Sequence, residues 1–388
     1  MNKSPLRTFA AGCIVFAGFC FVTCILVAGL RDNDATQRDF IEYWAAGQQM
    51  AHGANPYDIV AVLRVERSVG FYGNNPLVSL SPPVALYAAL PLGWVGTKTG
   101  LILWEQALLI CLSLSIWLLW RLHGRPARRF HLLGYFFAPT LVCLMAGQIC
   151  IFMLLGIVLF LNFHHSRPFL AGAALLPCAL KPHLFLPLAV GLLLWVVSRK
   201  AYGILAGFSA SLLVSCALSL YCDRLAWSQY LQMARLTRFT DVFIPTWSVV
   251  LRFLIDRQAL WLQYLPAAAG CAWTIWFFLS RRARWNWMEH GMLLLIVSVA
   301  CAPYGYVTDE TLLFPAVLAG LYKAEESRRS LLPFGLIAAA AMIEAVAGVR
   351  IISPFYLWTV PAWLGWYLYA TGERKPARIA ETGAHVAE

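Results

Sequence analysis

The chain has 388 residues, of which 60% are hydrophobic and 13% charged, with a formal net charge of +11. That balance excludes an ordinary soluble domain and implies a protein that crosses a membrane many times, with no room left for a sizeable soluble unit. The positive charge does not point to nucleic acid, because the basic residues sit in short clusters between apolar runs (HGRPARRF, SRK, RRARW, KAEESRR and GERKPAR), the pattern of cytoplasmic loops.

At the N-terminus Lys3 and Arg7 precede an apolar run from residue 10 to 30. The run is long for a signal peptide and has no A-x-A cleavage site, so it reads as a retained first helix with the N-terminus inside. Residues 31–78 then form the first outer loop. Within it, RDFIEYWAAGQQMAHGANPYD, from Arg38 to Asp58, is the most polar and aromatic stretch of the N-terminal third. Asp39 and Glu42 have the spacing of a capping box, and Phe40, Tyr43 and Trp44 fall along one helical face. The plain structural reading is an N-capped amphipathic helix lying in the membrane interface. Asn55-Pro56-Tyr57-Asp58 reads as a turn that opens a second surface helix.

The next apolar run, 80–95, contains Pro82 and Pro83 and is short for a span. If it crosses, Arg121, Arg125, Arg128 and Arg129 fall outside; if it dips in and returns, they fall inside with every later basic cluster. The second reading obeys the charge rule. It places spans near 99–121, 130–146, 149–163, 168–180, 183–198, 201–221, 259–280, 287–304, 309–323, 330–348 and 351–370, with a partial span in 243–256. The expected fold is therefore all-α: one integral membrane domain over 1–388, a polytopic transmembrane helical bundle of about twelve spans (range about ten to thirteen). Both termini are cytoplasmic, with a tail over 371–388.

This topology gathers the unusual residues on the outer side: Asp39, the turn AGQ (146–148), the turn LKPH (180–183) and APYGYVTDE (302–310). Lys181 lies between two apolar runs beside a helix-breaking proline. It is either a lysine snorkelling to the interface or a cation lining a wet cavity, where it would hold an anionic group. Asp309 and Glu310 open a helix, where acids suit the positive end of the dipole, or else belong to a site. Glu105 and Glu344 lie within spans, as internal partners or as parts of a polar pathway. The eleven cysteines are scattered through apolar runs and read as packing residues. There is no HExxH, P-loop or GxGxxG pattern, and no metal ligand set or cofactor is expected.

Taken in order, DFIEYWAAGQQMAHGANPYD, SPPVALYAALPLGW, AGQ, LKPHLFLPL and APYGYVTDETLL resemble the motifs of glycosyltransferase family 87 over about residues 38–320. The resemblance implies a GT-C type bundle in a bacterial inner membrane. Such an enzyme takes a hexose, mannose for example, from a polyprenyl-phosphate donor and gives it to a hydroxyl of a lipid-linked or envelope glycan acceptor on the periplasmic side. Its partners would be those two substrates and membrane lipids. An Asp in the first outer loop serves as base in enzymes of this type, and Asp39 matches that position. Relatives often carry an aromatic residue before the Pro-Pro pair, where this chain has Ser81, so an aromatic role there is in doubt.

The chemistry is self-consistent. One carboxylate suffices as general base for a single inverting displacement, and the departing phosphate needs charge stabilisation more than a proton. Lys181, with His183 and Gln148, is expected to supply it. Glu42, Tyr43, Trp44, Asp58, Tyr304 and Asp309 are further candidate substrate contacts. If Asp39 caps its helix, its lone pairs are partly committed, and Asp58 or Asp309 becomes the reserve base. Two other classes share this composition, a transporter or lipid-sugar flippase and a non-catalytic scaffold; the transporter would be expected to show repeated halves, and no convincing internal repeat is visible.

Overall fold

The computed structural model describes residues 5–31, 34–77, 79–236 and 242–372, and the expected tail falls almost wholly outside them. The described residues contain helices and no strand. The chain opens with α1 (Pro5–Gly29), followed by two short helices in the expected outer loop, α2 (Phe40–Ala51) and α3 (Ile59–Ser68). The 80–95 run is not one helix. It is a single turn, α4 (Pro83–Leu86), continued as a 3-10 segment over Tyr87–Trp94 with Pro91 inside it. A proline interrupts the hydrogen-bond ladder, which is why this apolar run does not extend as an α-helix.

Twelve more helices of varied length follow: α5 (Thr97–Leu122), α6 (Ala138–Ala146), α7 (Cys150–Phe163), α8 (Pro168–Ala173), α9 (Leu186–Arg199), α10 (Gly203–Cys222), α11 (Ala226–Leu236), α12 (Trp247–Ile255), α13 (Leu265–Arg281), α14 (His290–Ala300), α15 (Phe314–Glu326) and α16 (Leu332–Val346). The last is α17 (Thr359–Thr371). Each apolar run expected to span is helical. Four segments, 97–122, 182–199, 203–222 and 260–284, are long and apolar enough to cross a bilayer by length and composition. Besides the 25-residue α1, the others are shorter or broken, and proline is the recurrent cause. It occupies the first or second position of α6, α8, α9, α13, α15 and α16, where its missing N–H costs nothing. The run 168–180 is split into α8 and a 3-10 segment over Leu176–Leu180, and a second 3-10 turn, Pro182–Phe185, precedes α9. The run expected at 309–323 likewise begins as a 3-10 segment, Val307–Leu313.

The main core joins α5, α7, α9, α14, α15 and α17. The helices α8 and α10 cross at glycines: a Cβ on Gly172 would lie 1.9 Å from the Ile204 carbonyl oxygen, and one on Gly207 would lie 1.9 Å from that of Phe169. Small residues at such a crossing let two backbones touch, the means of association open to helices in lipid. Leu213 and Val214 of α10 and Leu336 and Ile343 of α16 stand exposed, as lipid-facing side chains do.

One expectation is corrected. The helix α2 does not lie amphipathically in an interface, because Phe40, Ile41, Tyr43, Trp44, Ala45, Ala46 and Gly47 are all buried. A smaller core of Phe40, Ile41, Trp44, Val62, Leu101 and Ile149 surrounds it, and Trp44, Gly47 and Gln48 set it against the Tyr87–Trp94 segment. Helix α3 fits the surface reading: Val62 and Glu66 are buried and most of its remaining residues face outward.

Candidate active site

A cavity of about 850 Å³ opens where α2, the turn 146–148, the 181–183 break and the 304–309 segment meet. Asp39, Glu42, Tyr43, Gln148, Lys181, His183, Tyr304 and Asp309 all line it. Stretches far apart in sequence converge because each is a helix end: α2 begins at Asp39, α6 ends at Gly147 in the left-handed conformation (φ 70°), and prolines break the chain at 182. Arg38 anchors the approach through an ion pair with Glu105 of α5 (3.0 Å), which gives that intrahelical carboxylate its partner.

Asp39 makes no side-chain cap to α2, so the expected capping box with Glu42 is absent. The reason is conformational. Asp39 is already helical (φ −62°, ψ −17°), and its carbonyl, not its carboxylate, accepts from the Glu42 backbone N–H. Its Oδ2 accepts instead from Gln148 Nε2 at 2.8 Å. The Gln148 amide is fixed in turn, its Oε1 accepting from the Tyr43 hydroxyl at 3.3 Å. Tyr43 stacks on Trp104 (centroids 5.1 Å apart), and the Trp104 indole donates to the Gly147 carbonyl at 2.7 Å. This is a relay of orientation from α5 to the Asp39 carboxylate. Gln148, expected beside a phosphate, thus serves the carboxylate first.

Burial raises the Asp39 carboxyl above its ordinary value, with the Gln148 hydrogen bond and the Lys181 charge opposing that rise. Glu42 is pushed up to about 8, chiefly by burial and then by the neighbouring Asp39 charge. Near neutrality Glu42 is therefore mostly protonated.

Across the cavity Lys181 Nζ donates to Asp309 Oδ1 at 2.6 Å, and the Cys150 thiol donates to the same oxygen at 2.9 Å. Asp309 Oδ2 accepts from the Tyr306 backbone N–H at 2.8 Å. With both oxygens engaged, Asp309 is committed to holding Lys181. An ammonium has three donors, so Lys181 retains the capacity to bind an anion in the cavity. His183 stacks on Tyr304 (centroids 3.8 Å apart), and its Nε2 is buried without a hydrogen-bond partner among the described residues.

Two expected contacts lie elsewhere. Trp44 is outside the cavity lining, its indole bonded to the Val95 carbonyl at 2.9 Å. Asp58 is the N-cap of α3, accepting from the backbone N–H groups of Val60 and Ala61, and does not line the cavity. Sequence reasoning missed Cys150, Tyr306, Trp227 and Tyr230. Cys150 lies two residues after Gln148 and was masked by the general reading of cysteines as filler; the aromatic residues carry no periodic signal. Glu310 and Glu344 bond to Thr359 and Trp358, away from the cavity.

Beside this cavity runs an apolar groove of about 500 Å³, which shares Tyr43, Ser81 and Leu180 with it and continues between Val84, Leu92, Leu103, Ala107 and Phe152. Leu103 is exposed, so the groove reaches the outer surface of the bundle.

A helical membrane protein with a carboxylate-and-lysine cavity continuous with an apolar groove is the class these features define. The model of glycosyltransferase family 87 matches residues 80–303, more than half of the chain, and the chain belongs to that family. The match takes in Gln148, Lys181 and His183 and begins after Asp39. No curated protein and no solved structure matches the chain.

Proposed function

We propose that this glycosyltransferase moves a hexose from a polyprenyl-phosphate donor to a hydroxyl of a lipid-linked or envelope glycan acceptor, at the periplasmic face of a bacterial inner membrane, within a bundle of GT-C type. The observation that carries the reading is Asp39: uncapped, oriented by Gln148, and set in the same cavity as Lys181, beside a groove suited to a lipid chain.

The acceptor hydroxyl attacks the anomeric carbon as its proton passes to an Asp39 carboxylate oxygen, and the bond to the phosphate oxygen breaks. Inversion follows from one displacement. The raised proton affinity of Asp39 brings it closer to operating pH, which favours general-base catalysis. The charge developing on the leaving phosphate meets the Lys181 ammonium, whose position Asp309 fixes before substrate arrives. The polyprenyl chain occupies the apolar groove that begins at Ser81 and Leu180.

The test is Asp39→Asn in purified protein supplied with polyprenyl-phosphate hexoses. Loss of a general base is expected to cost about 10²- to 10⁴-fold in rate, with the melting temperature little changed. Activity within a few-fold of wild type removes Asp39 from the role of base.

A further inference from the structure

At the end of α5 away from Trp104 lies a second cavity, an open bowl of about 920 Å³. The C-terminal ends of α5, α13, α15 and α17 meet there with the N-terminus of α14. Exposed aromatic residues mark its depth in a bilayer. Trp117 precedes Leu122 of the lining by five residues, Trp276 precedes Arg281 by five, and Tyr369 precedes Thr371 by two; all three rings are exposed. Tryptophan and tyrosine settle where hydrocarbon meets headgroups, and five helical residues rise only about 7.5 Å. The bowl therefore sits at headgroup level. About one turn deeper on the same helices stand Phe277, Leu293 and Leu368, and Leu368 is exposed, so the bowl reaches the outer surface of the bundle.

Its lining carries both signs of charge: Arg281 and Lys323 against Glu289, Glu325 and Glu326. Lys323 is paired with Glu326 (2.9 Å) and Arg128 with Glu325 (2.8 Å), on the surface in both cases, and a carboxylate has lone pairs to spare for a second donor. Arg281 lies over the Phe277 ring (4.4 Å) and gives one N–H to Ser280 Oγ (3.0 Å), which leaves most of its five donors for a ligand. A purely anionic headgroup would meet three carboxylates and the negative ends of four helices. A purely cationic one would meet Arg281 and Lys323. A head with both signs satisfies both. A quaternary ammonium seeks free aromatic faces, but the rings here are already packed, Phe277 under Arg281 and against Trp273, Tyr322 against His123 and Phe130. A primary ammonium instead brings three N–H donors, which suit carboxylates and helix-end carbonyls.

We propose that this bowl binds a membrane phospholipid with a zwitterionic phosphoethanolamine headgroup, its phosphate on Arg281 and the N-terminus of α14, its ammonium on Glu325 and Glu326, and its acyl chains leaving past Leu368. The site lies at the opposite end of α5 from the Asp39 cavity and takes no part in sugar transfer. A lipid held there ties five helices together.

The test uses the full chain, delipidated in detergent, with phosphatidylethanolamine, phosphatidylglycerol and phosphatidylcholine of identical acyl chains, and reads binding by native mass spectrometry and by the rise in melting temperature. Wild type is expected to bind phosphatidylethanolamine about fivefold or more tighter than either other lipid, the upper worth of one exposed charge pair. Arg281→Gln should weaken that binding by about the same factor. Glu325→Gln combined with Glu326→Gln should invert the order and favour phosphatidylglycerol, because Lys323 and Arg128 then face the bowl without their carboxylates. A merely structural role for these glutamates would leave the order of lipids unchanged. Phosphatidylglycerol or phosphatidylcholine bound by wild type as tightly as phosphatidylethanolamine overturns the choice of headgroup, and this comparison needs no variant to fold. Unchanged affinity in Arg281→Gln overturns the phosphate contact, and an order that survives the double substitution overturns the ammonium contact.

Discussion

Gln148 donates to the charged form of Asp39, and that is the form a general base needs. Burial acts the other way, so the carboxyl titrates above the ordinary range by the difference of the two effects. Activity is expected to fall as pH drops through this raised value. Gln148→Leu removes the opposing hydrogen bond, so the acid limb of the kcat/KM profile should move to still higher pH; an unmoved limb, or one moved down, contradicts the orienting role. Glu42, pushed up to about 8, is mostly neutral at pH 7, and Glu42→Gln keeps both its shape and its charge there. Activity of that variant at pH 7 should stay within a few-fold of wild type, in contrast to Asp39→Asn. Lys181 needs a paired experiment. Lys181→Met alone strands the buried Asp309 carboxylate, and breaking a buried pair costs about 3–5 kcal/mol in stability. Adding Asp309→Asn removes the stranded charge. The double variant should fold, and its donor KM should rise about 10- to 150-fold, the value of a hydrogen bond from a charged donor worth about 1.5–3 kcal/mol, with acceptor KM little altered. A normal donor KM in a folded double variant takes Lys181 out of phosphate binding.

The position of α2 is set by a crossing of two backbones. A Cβ on Gly93 would stand 2.0 Å from the Gly47 carbonyl oxygen, and one on Gly47 would stand 2.5 Å from that of Ala89. Gln48 and Trp44 bolt the same junction by donating to the carbonyls of Gly93 and Val95. Because the obstacles are main-chain atoms on both sides, neither contact is relieved by turning a side chain. Gly93→Ala is expected to force the elements apart at a cost of about 1–3 kcal/mol or more, seen as a lowered melting temperature, and to displace Asp39 enough to reduce turnover. A variant with wild-type melting and turnover shows that the junction is slack. None of this was legible in the sequence. The aromatic face of α2 is visible as Phe40, Tyr43 and Trp44, but Gly47 on that same face looks like filler until a second backbone is seen against it. The Asp39–Glu42 spacing misled for a related reason: a capping box needs an extended residue at the cap, and pattern alone does not reveal that the helical conformation already includes Asp39. At Asp58 the backbone is extended (ψ 106°), and there the cap suggested by the turn motif does form.

At the scale of the molecule the apolar runs were legible because length and hydrophobicity are local properties of the chain, and each became helix. The breaks were legible only where proline marks them, as at Pro182, and not where a run such as 168–180 changes from α to 3-10 around Leu176. The convergence of Asp39, Gln148, Lys181 and Asp309 followed from topology, since the charge rule puts all four turns on one side. Their pairing, Gln148 with Asp39 and Lys181 with Asp309, depends on side-chain reach and had no sequence signal. The charge rule itself is open to a direct test. The C-terminal ends of α5, α13 and α15 share a second cavity lined by His123, Arg281 and Lys323, while Trp104 of α5 lies beside Tyr43 at the first. Residues 104 and 122 of one helix are about 27 Å apart, close to the thickness of a hydrocarbon core, so the two cavities belong to opposite faces of the bundle. Arg125 and Lys200 are exposed in the loops that follow α5 and α9, and Tyr72 and Asn75 are exposed after α3. In a background without the native cysteines, a single cysteine at 125 or 200 should resist a membrane-impermeant maleimide applied to intact cells, and one at 72 or 75 should react. Labelling at 125 from outside means that the basic ends of the helices face the periplasm and, because Trp104 at the other end of α5 lies beside Tyr43, that the Asp39 cavity opens toward the cytoplasm.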